Sequence, residues 1–161
     1  MKKILASIFI MLYFALNAFA SINSVSDIES KISKLNQLNN YNFINLVNKT
    51  DLIGERLQSF DMLSSQYKNE VFLASENLKN IINQINLIKG ADNISDSEKT
   101  LQISKLYQDT QTILYNIDSK TVQYLYGLRT FMPTITYQKY SVSFSNFYNG
   151  LNISDKKIIS K

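Results

Sequence analysis

The chain lacks cysteine, histidine and tryptophan altogether, and its 161 residues include one proline and four glycines. Without cysteine there are no disulfides, thiolate metal sites, iron–sulfur clusters or cysteine nucleophiles. Without histidine the commonest general base and metal ligand near neutral pH is missing. So little proline and glycine cannot furnish the frequent turns of an all-β fold. What is present is 45% hydrophobic and 19% charged, at a length that suits one domain with a real core.

The first twenty residues read as an export signal. Lys2 and Lys3 form a positive start, Ile4 to Phe14 is an almost wholly apolar run, and Ala18-Phe19-Ala20 followed by Ser21 supplies the small residues of a cleavage site. The run is shorter than the ~20 residues that span a bilayer, so cleavage after Ala20 is expected over retention as an anchor. No cysteine follows, so a lipid anchor at the new N-terminus is excluded. The expected destination is the bacterial periplasm or the medium. Residues 1–20 hold two lysines and no acid, so 15 basic and 13 acidic residues remain, a net charge of +2. Only Arg56 and Arg129 are arginines and the lysines are scattered. Nucleic-acid binding needs a clustered basic face, which is absent.

The mature chain reads as helix. Ile53, Leu57, Phe60, Ser64, Tyr67, Val71, Ala74, Leu78, Ile81, Ile85 and Ile88 alternate steps of four and three, the seam of a heptad pattern. A long helix is expected there, with Thr50 or Asp51 at its start and Lys89-Gly90 at its stop. Ser95 to Glu98 matches a capping box and opens a second run through Ile103, Leu106, Thr110, Ile113, Ile117, Thr121, Tyr124, Leu128 and Phe131. Leu114 and Leu125 widen that stripe. A short connection makes the two helices an antiparallel hairpin. Val25, Ile28, Ile32 and Leu35 start a third helix, expected over 26–47, with weak asparagine-rich propensity after Asn36. After Pro133 the pattern fits either a helix over 133–149 or a strand around Tyr140 to Ser145. A lone strand has no partner in a helical chain, so the helix is preferred. The fold expected is all-α: an elongated up-down bundle of three or four long antiparallel helices with coiled-coil-like packing over 21–151, followed by a frayed tail, 152–161.

Candidate chemistry is sparse. Ser65 and Lys68 match the S-x-x-K pattern of penicillin-binding enzymes, but Ser154 to Lys157 matches as well and the companion motifs are absent. Asp92, Asp96 and Glu98 could be hard-cation ligands, yet helix capping accounts for two of them. Asn48, Asn93 and Asn152 head glycosylation patterns expected by chance in an asparagine-rich chain. If the hairpin centres near Asp92, Arg56 lies level with Leu128 beside Arg129. An anion site between helices would then join Arg56 and Arg129 with Tyr126 and Tyr137, while local pairing of each arginine is the plainer alternative. Tyr140, Phe144, Phe147 and Tyr148 are candidates for a partner-binding face, with a core position as the alternative. No cofactor or metal is indicated. The expectation is a non-enzymatic envelope protein acting as a structural or adaptor subunit, through a protein partner or self-association. A periplasmic ligand-binding bundle and a secreted effector or adhesin are the rivals.

Overall fold

A computed structural model describes residues 22–43 and 55–154. Among them the chain is an all-helical bundle of four helices: α1 (Val25–Asn39), α2 (Glu55–Gly90), α3 (Asp96–Arg129) and α4 (Thr134–Leu151). The expected cleavage segment, with Ala18, Ala20 and Ser21, lies outside the described residues, as do the expected caps Thr50 and Asp51.

The 36 residues of α2 extend for about 54 Å. Its expected seam is the buried one: Phe60, Ser64, Tyr67, Val71, Ala74, Leu78, Ile81 and Ile85 face inward without a break. The facing seam of α3 runs through Thr110, Leu114, Ile117, Thr121, Tyr124 and Leu128. Leu114 takes the core position expected for Ile113, which lies half-buried at the edge. Ser95 caps α3, accepting a hydrogen bond from the Glu98 amide at 3.3 Å. Helix α3 ends at Arg129, two residues before the expected end at Phe131.

The hairpin register differs from the expected one by about a helical turn. Ser64 meets Tyr124, Tyr67 meets Thr121, and Glu70 meets Lys120. Gly90 is still helical, so the turn falls at 91–95 and its centre moves past Asp92. One glycine serves this register: a Cβ on Gly127 would lie 2.8 Å from the Leu63 Cδ2. The Leu63 side chain therefore occupies the notch that Gly127 leaves, at a position where glycine costs a helix about 1 kcal/mol against alanine.

Helices α1 and α4 cover the same side of the hairpin, in tandem. Ser24 caps α1 in a reciprocal capping box with Asp27, whose carboxyl is held below its usual value chiefly by the Ser24 hydroxyl. α1 lies along the turn-proximal half of α2, where Ser75 Oγ donates to Asn36 Oδ1 at 3.3 Å. It stops at Asn39 rather than 47, within an asparagine-rich run whose side chains compete with helical backbone bonds. α4 lies along the distal half of α3. Pro133 leads into it with extended ψ and no side-chain cap bond, and Asn152 ends it in the left-handed conformation, φ 47°. Asparagine tolerates that conformation better than most residues. The two short helices meet where Tyr41 stacks on Phe147, centroids 4.3 Å apart, and Lys31 Nζ donates to the Asn152 carbonyl at 3.0 Å. Ile153 is buried, so the expected tail begins only after a residue that packs in the core.

Leu78 is fully buried and Leu87, nine residues on, is 74% exposed. Leu78→Ala is expected to lower unfolding free energy by about 2–5 kcal/mol and Leu87→Ala by less than about 0.5 kcal/mol, read by urea denaturation.

Candidate functional site

The helices converge on a layer of aromatic rings and hydroxyls near the middle of the molecule. Tyr67 of α2 and Tyr124 of α3 stack nearly parallel, centroids 4.8 Å apart. Phe43 meets both edge-on, and Phe144 of α4 meets them at steep angles. Tyr124 Oη lies 3.0 Å from Ser64 Oγ and 2.6 Å from Tyr140 Oη. Tyr67 Oη bonds Thr121 Oγ1, which donates to the Ile117 carbonyl. Tyr148 Oη donates to Asp118 Oδ1 at 2.7 Å, tying α4 to a buried carboxyl of α3. Each of these four tyrosines has its hydroxyl pushed well above the ordinary tyrosine value, with burial as the first cause. A phenol that is buried, hydrogen-bonded and harder to ionise is poorly suited to proton transfer near neutral pH; these groups hold elements together.

The candidate residues from the sequence distribute themselves differently from the two expected sites. Tyr140, Phe144 and Tyr148 are in the core, which removes them from any docking face of this fold. Phe147 is half-buried against Tyr41. The stepping by three and four that suggested a partner face is the stripe by which α4 packs on α3. Arg56, Arg129 and Tyr126 are exposed, and Tyr137 is half-buried. In the observed register Arg129 stands level with Phe60, so Arg56 lies about a turn farther along the hairpin. The two arginines are thus not brought level as the expected clamp required. Lys68 Nζ sits 5.2 Å from the centroid of Phe43, a cation–π contact, rather than serving Ser65. Asp92, Asp96 and Glu98 are exposed, and no group of three or more potential metal ligands is found among the described residues.

The sequence reading missed the side of the hairpin that α1 and α4 leave open. There Gln66, Leu73, Asn80 and Leu87 of α2, and Asp109, Asn116 and Gln123 of α3, recur every seven residues and are all exposed. Between them runs a groove with a cavity of about 450 Å³, lined by Leu73, Ala74, Asn77, Ile113, Asn116 and neighbouring residues. A second recess of about 150 Å³ lies beside it, and Glu70 and Lys120, 3.5 Å apart, separate the two. The floor is apolar and the rim is mostly side-chain amide. The signal in the sequence was a second heptad stripe, legible only once the first seam and its register are known.

No family model, curated protein or solved structure matches the chain.

Removing the Tyr148 hydroxyl takes a donor from the buried Asp118 carboxyl, so Tyr148→Phe is expected to cost about 1–3 kcal/mol in denaturant unfolding. The tyrosines also set an alkaline limit. The unfolded chain ionises them near 10.0, whereas the folded chain holds the four buried rings neutral beyond that. Their contribution is undiminished below about pH 10 and is lost as pH rises further, because the unfolded state then gives up protons that the folded state keeps. The tyrosinate absorbance of these rings is expected to appear together with loss of helical circular dichroism; its appearance with helix intact would contradict their burial.

Proposed function

We propose that the chain is an exported, non-enzymatic helical-bundle protein of the bacterial envelope that acts by protein–protein contact, as a structural or adaptor subunit. The observation that carries this reading is the one-sided closure of the hairpin. α1 and α4 cover one side of α2 and α3, and the opposite side keeps a long groove with half-exposed Leu73 at its rim. A rigid, elongated face supported by a packed core is a surface for holding another macromolecule.

Export is supported by where the core begins. Ile22 is buried and Ser24 caps α1, so a chain starting at Ser21 keeps every described residue the core uses. No described helix is long and apolar enough to cross a membrane.

Two measurements test the reading. Osmotic shock of the producing cell is expected to release a polypeptide whose mass begins at Ser21, and Ala18→Phe is expected to retain the precursor; an intact chain in the cytoplasm removes the export part. A photo-cross-linking residue at Asn116, on the open face, is expected to give a discrete adduct in the intact envelope, while one at Val142, on the outer side of α4, gives none. Silence at Asn116 removes the contact part.

A further inference from the structure

We propose that the open face of the α2–α3 hairpin is self-complementary and pairs with a second copy of this chain, the two hairpins running antiparallel about a two-fold axis through the groove beside Leu73. This rests on the contact reading above and names the partner.

Two features locate the axis separately. On α2 the exposed apolar side chain that lines the groove is Leu73, 48% exposed. On α3, away from the turn, the two heptad columns that border the groove carry one cation, Lys120, and one carboxylate of opposite sign, Asp109. The point midway between those falls beside Leu114. The register set by the Ser64–Tyr124, Tyr67–Thr121 and Glu70–Lys120 contacts places Leu73 and that midpoint at about the same height along the hairpin. One axis therefore serves the apolar side chain of one helix and the charged pair of the other.

A two-fold axis at that height sets Lys120 against Asp109 of the second copy, about 8 Å to either side at 1.5 Å per residue. Each contact occurs twice, as an isologous interface requires. Lys120 then lies between its own Glu70 and the opposite carboxylate. At the axis the half-exposed Leu73 of each copy closes over the apolar floor of the other's groove, which has no cover within one chain. Antiparallel pairing opposes Lys120 to Asp109 twice, which favours this partner over an arbitrary helix.

Sedimentation equilibrium of the protein purified from its natural compartment tests the pairing. A reversible monomer–dimer equilibrium is expected. Lys120→Glu and Asp109→Lys should each weaken it by about tenfold or more, and the two together in one chain should bring it back to within about threefold of the original. Leu73→Glu should leave monomer, with helical circular dichroism and the unfolding midpoint showing that each variant is folded. A folded protein that stays monomeric at all concentrations overturns the proposal, as does a dimer indifferent to all three substitutions or a double variant no tighter than its singles. A monomer that still gives the Asn116 adduct in the envelope overturns the second copy as partner and leaves the contact reading standing.

Discussion

The pairing of two long stripes, one on α2 and one on α3, is the interaction on which the rest depends. A helix of this length is held mainly by what its apolar face meets, since intrinsic propensity supplies little. Here asparagine and serine, both weaker helix formers than alanine, recur through α2. Its stability comes from Phe60, Val71, Leu78 and Ile85 closing against Leu114, Ile117 and Leu128. The two short helices then dock on a surface that exists only once the hairpin has formed. α4 shows this dependence most clearly, because it starts at Pro133 with no side-chain cap and is fixed by Tyr140, Phe144 and Tyr148 reaching into the layer between α2 and α3.

Apolar stripes alone leave the register loose, because a heptad pattern matches itself again after a slip of seven residues. The polar members of the seam remove that freedom. Ser64 and Thr121 are buried opposite tyrosines whose hydroxyls they bond. A slip of seven in either direction would set Ser64 beside Ile117 or Phe131 and leave Tyr124 without that partner. A buried hydroxyl left unpaired costs about 1–3 kcal/mol, so several of them outweigh a seam that is otherwise indifferent to sliding. Gly127 acts in the same direction, since only one register brings Leu63 to the notch. The hydroxyl layer contributes less by its net energy than by what the alternatives lose.

The fold was legible in the sequence to the extent that one period dominated. α2 and α3 were plain because a stepping of three and four ran through nearly the whole of each. The register was not, because a turn of a few residues can start or stop anywhere near Gly90, and each residue gained by α2 moves every opposing pair. That error alone made Arg56 and Arg129 appear level. The aromatic residues of α4 were ambiguous for a different reason: the spacing that buries Tyr140, Phe144 and Tyr148 is the spacing that would present them to a partner. Only the presence of Tyr124 and Asp118 opposite them decides it, and that is a tertiary fact. Ile153 was missed because it lies past the expected end of the last helix at 149, in a polar segment too short to show a periodicity.

The open face differs from the seam in a way that bears on its use. The seam can be apolar because it is never exposed in the folded chain, whereas a contact surface must be wetted whenever its partner is absent. Amide side chains at Gln66, Asn80, Asn116 and Gln123 keep it hydrated, and single apolar residues at Leu73 and Leu87 are spaced too far apart to form one sticky patch. On the proposed pairing, affinity is then shared between the central groove and the charged pairs on either side of it rather than concentrated in one anchor. Many small contacts lose most of their joint strength when the register is wrong by a single turn. Such a face selects its partner by length and order of residues, and it can do so only because the hydroxyl layer beneath it holds α2 and α3 in one alignment.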